Sequence, residues 1–378
     1  HVLALDQVFV LDRRGGEARQ ITDVKQGVEA YEWSPDGKHL VLVIEDPDPD
    51  ASADADKDTN NDEEVPKPWV IDRLQIKNDD EGYLDRRRNH IYVFTLENKE
   101  LRQITFGDYE DSEPVWSPDG RWIAFVSNRT EDPDANYNTD LWVVDPNSAE
   151  PKESLTRVTT NPGSDRDPSW HPDSRQLAYI TITRPDLVDF AQTDVAVIGV
   201  GHSSPTILTE ELDRLVHDTR VSADGSTVYF RVEDSAEVAL AAVPVAGGQV
   251  TRPISGRQRV EDYDLASDGT VIALISTTSF PAEIFAIGPP GDEPTTSPGR
   301  RLTHVNDHVL ENRLLPSVEK ITATSADGTE IEALIYKPPV FTDGTTYPTI
   351  LWPHGGPMAQ HDWGWDFEPH LFAAHGYV

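Results

Sequence analysis

Short runs in which apolar and polar residues alternate, each ending in a cluster of turn formers, recur from Gln7 to Thr303. "QVFVLDRRGG" from Gln7, "HIYVFTLENK" from His90, "DLWVVDPNSA" from Asp140, "DVAVIGVGHS" from Asp194 and "EVALAAVPVAGG" from Glu237 all follow this scheme. A period of two that runs into Gly, Asn or Asp predicts a β-strand and a turn. Behind each run a second signature closes on a hydroxyl side chain: "ARQIT" at 18–22, "LRQIT" at 101–105, "LTRVT" at 155–159, "PTILT" at 205–209 and "TRPIS" at 251–255.

A third element makes the repeat explicit. "WSPDGKHLVLVI" begins at Trp33 and "WSPDGRWIAFVS" at Trp116, with weaker copies "WHPDSRQLAYIT" from Trp170, "VSADGSTVYFRV" from Val221 and "LASDGTVIALIS" from Leu265. Pro presets φ for the second position of a type I turn, Asp bonds back to its own backbone, and Gly supplies a positive φ. Ser-Pro-Asp-Gly therefore joins two antiparallel strands. The Trp before it is the large apolar residue that one sheet presents to its neighbour. The starts lie 83, 54, 51 and 44 residues apart. All but the first spacing fit a unit of four short strands, and the first is lengthened by an insertion. Such repetition predicts an all-β propeller over residues 1–312. The chain opens in the second half of one blade and carries roughly five more. A ring of about seven or eight needs more than that, so about one to two blades are expected ahead of His1.

The insertion, residues 45–68, holds ten carboxylates between Glu45 and Glu64 and too few apolar side chains to build a core. Asp54, Asp56, Asp58 and Asp62 fall at the first, third, fifth and ninth positions of a calcium-loop pattern, but Thr59 stands where that loop needs Gly and Val65 where it needs Glu. A solvated surface loop is the favoured reading over a calcium site. Arg86, Arg87 and Arg88 follow it. They fit either an anion site, such as one for a peptide carboxylate, or pairing with neighbouring acids, and the second is favoured.

Overall charge narrows the partners. Acidic residues outnumber basic ones 67 to 32, for a formal net charge of −35. That excludes phosphate-backbone binding and disfavours a membrane surface, and no apolar run reaches transmembrane length. Only 9 of the basic residues are Lys against 23 Arg. This balance points to a halophilic host, in which salt screens the self-repulsion. With no cysteine, disulfides, thiolate metal sites and a cysteine nucleophile are ruled out.

From about Arg313 the pattern changes. "EKITATSADGTEIEALIYKPP" predicts two strands about Asp327-Gly328, and "YPTILWPHGGP" predicts a strand buried on both faces that runs into a Gly-rich loop. "EPHLFAAHG" predicts a short helix stopped at Gly376, and Tyr377-Val378 the start of another strand. Strand, Gly-rich loop, helix and strand open an α/β domain, here residues 313–378. Glycines at such a loop let backbone N–H groups approach a substrate and hold an oxyanion. His354, His361, His370 and His375 lack a His-Glu-x-x-His pattern and are read as core and surface histidines, with no metal and no cofactor required.

Together, the Trp-Ser-Pro-Asp-Gly repeats, "TSADGTEIEALIYKPP", "YPTILWPHGGP" and "LFAAHGYV" resemble the prolyl oligopeptidase family, nearest its acylaminoacyl-peptidase and dipeptidyl-peptidase-like members, over nearly the whole chain. The resemblance implies a serine peptidase whose propeller lies over an α/β-hydrolase domain and admits short peptides. It implies that His354, Gly355 and Gly356 form the oxyanion-side loop, with His354 lining the site rather than acting as the base. It also implies a cytoplasmic enzyme, in keeping with the absent cysteines. The nucleophile elbow Gly-x-Ser-x-Gly does not occur: Gly201-His202-Ser203-Ser204-Pro205 lacks the second glycine. The Ser, Asp and His of the triad are expected beyond Val378, which makes this chain a fragment without catalytic residues of its own. A non-catalytic propeller that binds protein partners explains residues 1–303 equally well but not the segment after them. A lipase or carboxylesterase shares the loop but not the propeller.

Overall fold

The computed structural model describes residues 6–47, 70–78, 82–202, 204–288, 299–356 and 358–378. The calcium-loop pattern from Asp54 to Val65 lies outside the described residues. Among the described residues β-strands dominate, and the longest α-helix is Phe367–Ala374.

Five antiparallel four-stranded meanders follow one another along the chain. The first is built from Ala30–Trp33, His39–Glu45, Asn89–Thr95 and Glu100–Gln103; the second from Asp111–Trp116, Ile123–Ser127, Asp140–Val144 and Thr156–Arg157. Asp165–Trp170, Gln176–Thr181, Asp194–Gly199 and Thr206–Ile207 form the third. The fourth comprises Val216–Val221, Thr227–Asp234, Glu237–Pro244 and Thr251–Ile254, and the fifth Arg259–Leu265, Val271–Thr277, Phe280–Ile287 and Arg300–Arg301. A parallel bridge between Val238 and Arg259 joins the last two into one sheet. Ahead of them, Phe9–Val10 pairs with Arg19–Gln20. Half a repeat and five whole ones is the count read from the sequence signatures.

Compact packing divides the chain into two units, His1–Thr183 with Val197–Pro205 and Arg184–Ala196 with Thr206–Val378. In the first unit the second strand of the first meander is buried on both faces. Leu40, Leu42 and Ile44 pack with Val8, Val24 and Val28, while Val41 and Val43 pack with Trp116, Ile123 and Phe125 of the next meander. Period-two alternation thus serves two interfaces at once, as strands sandwiched between stacked sheets require. The turn tryptophans do part of the stacking. Trp116 and Trp170 are buried, and the Trp170 indole donates to Val115 O at 3.1 Å. Trp33 departs from this role and is 43% exposed. Among the described residues, the sheet ahead of it is the two-stranded pair at Phe9 and Arg19, too narrow to cover an indole.

Both recurring signatures have a visible chemistry. In the Ser-Pro-Asp-Gly turn, Ser34 Oγ donates to Asp36 Oδ1 (2.6 Å), which also accepts from Lys38 N (3.0 Å), and Gly37 takes φ 65°. Ser117–Asp119–Arg121 and Ser222–Asp224–Ser226 repeat the arrangement. The closing threonine of the other signature clamps the strand opposite. Thr22, Thr105, Thr159, Thr209 and Thr303 accept from the backbone N–H groups of Val8, Ile91, Leu141, Val195 and Ile284 at 2.8–2.9 Å. Four of these hydroxyls donate in turn to the residue just before that N–H: Gln7, Asp140, Asp194 or Glu283.

The arginine triplet is committed to acids: Arg86 to Asp72, Arg87 to Glu45 and Asp85, Arg88 to Asp108. The pairing alternative therefore holds over the anion site.

Candidate active-site loop

The hairpin Ser317–Thr324 with Glu330–Lys337 opens the C-terminal segment and turns at Asp327-Gly328, where Ser325 and Asp327 rebuild the Ser/Asp turn of the meanders. Farther on, Asp366 caps the helix Phe367–Ala374 by accepting from Glu368 N (3.3 Å), and Gly376 follows at φ 88° as the helix stop. Both elements stand where the sequence pattern predicts them.

The stretch before the loop differs. Thr349–Trp352 is not a regular strand, and Leu351 is 90% exposed. Two bonds nevertheless show its direction. Ile350 N donates to Val378 O (2.9 Å) and Val378 N donates to Pro348 O (3.0 Å), the alternation that parallel neighbours make. Only Val378 pairs with it among the described residues, which is too short a ladder for a strand and leaves its apolar side chains uncovered.

His354, Gly355 and Gly356 sit together in an exposed loop. A Cβ on Gly356, whose φ is 130°, would come within 2.8 Å of Met358 N, so the tight turn requires glycine there; nothing crowds Gly355. The N–H groups of Gly355 and Gly356 donate to no acceptor among the described residues. His354 Nδ1 lies 2.7 Å from Gly355 O, and its ring meets that of His361 edge-on at 5.9 Å. His361 Nε2 in turn contacts Trp352 O at 3.1 Å and closes the neck of the loop.

Residues 360–366 strap this neck to the fourth and fifth meanders. Gln360 exchanges bonds with Ala236 N (3.1 Å) and Glu237 O (3.0 Å), and Trp363 N donates to Ala236 O (2.8 Å). Asp362 Oδ2 receives Arg259 Nη1 at 2.6 Å, while Arg259 Nε binds Glu261 at 2.6 Å. Glu261 also accepts from Ser276 Oγ, itself the acceptor for Trp365 N. Trp363 is buried, with the Arg257 guanidinium 4.8 Å above its ring. His370 is buried too, stacked on Trp365 at 4.0 Å and 2.8 Å from Thr278 O through Nε2. Desolvation and the charges of Asp366 and Asp362 raise the Tyr336 phenol above its usual range. No pattern in the sequence marks the strap: Asp362-Trp-Gly-Trp365 reads as a turn, and its partner Arg259 lies 103 residues earlier.

Elsewhere, in the first unit, His202 and Ser204 of the nearest elbow-like string line an open cavity of about 610 Å³ with Arg157, Val158, Thr160 and Gly201. Neither makes a nucleophile–base hydrogen bond there among the described residues.

No family model matches the chain. Among curated proteins it is 26% identical over 393 aligned positions to the uncharacterized peptidase YuxL of Bacillus subtilis (strain 168), covering 98% of this chain and 57% of that protein. Dipeptidyl-peptidase 5 of Arthroderma otae is 26% identical over 286 positions, covering 72% of this chain and 38% of that one. This chain is a relative of the prolyl oligopeptidase-family peptidases. It spans about half, or less, of the length of these relatives. The fold agrees with that kinship: Pyrococcus horikoshii acylaminoacyl peptidase superposes with a TM-score of 0.74 at 18% identity, over 98% of this chain and 53% of that one.

Proposed function

We propose that the chain is the propeller, residues 1–312, and the leading edge, residues 313–378, of the α/β-hydrolase domain of a serine peptidase that cleaves short peptides of the aminoacyl or acylaminoacyl type. The five meanders are its blades. His354, Gly355 and Gly356 are the oxyanion-side loop, and the triad lies in the remainder of the parent protein. The observation that carries this reading is the loop itself: two glycine N–H groups that meet no acceptor among the described residues, at an exposed turn where Gly356 has no room for a Cβ, on a neck closed by His361 and Trp352. The parallel pairing of Pro348–Ile350 with Val378 around a helix supports a doubly wound sheet, and the names of the relatives support peptide hydrolysis. The exposed apolar side chains of Leu351, Trp352 and Phe367 are, on this reading, the face that the rest of the domain covers. The cytoplasm and a high-salt host belong to the same proposal.

The test is hydrolysis of chromogenic aminoacyl and acylaminoacyl substrates by the full-length protein and by residues 1–378. Turnover by the parent alone, lowered at least about tenfold in kcat by Gly356→Ala, supports the assignment. Turnover by 1–378, or none by a parent that carries Gly-x-Ser-x-Gly downstream, overturns it.

A further inference from the structure

The His354–Gly356 loop is exposed and makes few contacts of its own, yet its neck is tied to the fifth meander by a continuous series of short contacts. Glu261 and Asp362 hold the two prongs of Arg259 at 2.6 Å each. The next residue back from Asp362 is His361, whose ring meets His354 and whose Nε2 closes on Trp352 O. The Asp362 side chain is 8% exposed and spends its other oxygen on Gly364 N at 2.8 Å, so its carboxylate has one orientation. Gly364 has no room for a side chain: a Cβ would lie 2.8 Å from Asp362 Oδ1, 2.9 Å from Arg259 Cδ and 3.0 Å from Ser276 Oγ. The guanidinium is therefore held between a carboxylate of the meander and one of the strap, with Arg259 Cδ close against Gly364. Only three residues separate Gly356 from Gln360, the first anchored position of the strap.

We propose that Arg259 is a positioning residue for the His354–Gly356 loop. By bridging Glu261 and Asp362 it fixes the strap 360–366, and through His361 it sets where the N–H groups of Gly355 and Gly356 stand. The planar guanidinium is suited to this because it presents two fixed donors to two carboxylates, which a lysine ammonium does not. Arg259 touches no reacting atom in this assignment; it acts through Asp362 and His361. The catalytic meaning rests on the oxyanion reading of the loop, whereas the mechanical statement does not.

The chain has no cysteine, so two introduced ones can carry spin labels without interference. With labels at Ala359→Cys and Ser267→Cys, both exposed and both in the second unit, the interlabel distance distribution reports how firmly the loop is held against the fifth meander. Arg259→Gln is expected to widen it at least about twofold, Arg259→Lys to give an intermediate width, and Asp362→Asn to match Arg259→Gln. Asp362→Asn keeps the acceptor for Gly364 N, so it removes the ion pair and not the turn, and it decides the matter if Arg259→Gln fails to fold. Combining Asp362→Asn with Arg259→Gln should add nothing, since both cut one link. An unchanged width in both single variants, or widening that appears only with a general loss of thermal stability, overturns the proposal. In the full-length protein the same variants should lower kcat about tenfold with KM unchanged. A loosened loop with unaltered kcat would sink the catalytic role. A wild-type parent with no peptidase activity would sink the oxyanion reading and leave the positioning intact.

Discussion

At the scale of single residues, the side chains that hold the fold together are polar groups sealed at strand starts. Thr159 accepts from Leu141 N and donates to Asp140, both buried, so replacing its hydroxyl by a methyl leaves the Leu141 N–H and one Asp140 oxygen without this partner. Thr159→Val should destabilise the first unit by about 1–3 kcal/mol in denaturant unfolding, and Thr159→Ser by much less. Asp165 is the opposite case, a carboxyl the fold tolerates rather than uses. It is fully buried; Thr181 and Asn161 donate to one oxygen, and the other has no donor within hydrogen-bond geometry among the described residues. Burial pushes its pKa from 3.8 up to about 6, and the nearby Asp140 charge, itself bound by Arg157, adds to the rise. Tyr179, also facing it, is driven the same way. Because the folded value lies above the unfolded one, the native state holds its proton longer. Below about pH 4 both states are protonated and nothing is lost; stability then falls as pH rises through the window to about 6 and stays lower above it. Moving the carboxyl from 3.8 to about 6 corresponds to roughly 3 kcal/mol. Asp165→Asn should therefore stabilise the protein by up to that amount at pH 7.5, with the gain shrinking to near zero at pH 3.5. A gain independent of pH would show that shape, not charge, sets the cost.

At the scale of elements, the turns and the strap show why one part of the architecture was legible and the other was not. Ser-Pro-Asp-Gly closes through bonds spanning two to five residues, so its chemistry is complete in the sequence that encodes it. The exposed Asp224 of one such turn illustrates this: its serine and backbone partners hold its pKa at about 2. Five meanders and the hairpin about Asp327 follow from that locality, as does the helix ended by Gly376. Thr349–Trp352 was readable as apolar, but not as a stretch that only Val378 joins among the described residues, since the number of neighbours is a property of the sheet. The glycine loop was legible because glycines at a strand end have few other uses. Its hold on the meanders was not, because Arg259 and Asp362 carry no mutual signal across 103 residues. Gly364 looks like an ordinary turn glycine and is instead a packing requirement. Gly364→Ala should lower the stability of the second unit by about 1–3 kcal/mol, through displacement of Arg259 or Ser276. Amide exchange should rise at Trp363 and Trp365, and the strands His39–Glu45 and Asn89–Thr95 of the first unit should keep their protection.

At the scale of the whole molecule, two electrostatic terms oppose each other, and their sizes decide the response to salt. Ion pairs such as Arg86–Asp72 and Arg184–Asp186 join half-exposed side chains. Such pairs contribute about 0–1 kcal/mol each and weaken as salt is added. Against them stands a net charge of −35, from 67 acidic residues that find only 32 basic ones. More than half of the carboxylates have no cation to meet, and the repulsion among them acts over many pairs at distances near the screening length of about 10 Å at 0.1 M salt. At 1 M that length falls to about 3 Å, which removes most of the repulsion but leaves contacts at 2.6–2.8 Å partly intact. Repulsion therefore loses more than attraction, and the melting temperature should climb between about 0.1 and 2 M KCl. Choline chloride in place of KCl separates screening from specific hydration of carboxylates by potassium. Equal rises in both salts identify screening as the cause, and a rise in KCl alone identifies cation binding. A melting temperature that is flat in both salts would mean that the acidic surface carries no stability penalty in dilute buffer, and the high-salt host would lose its physical basis.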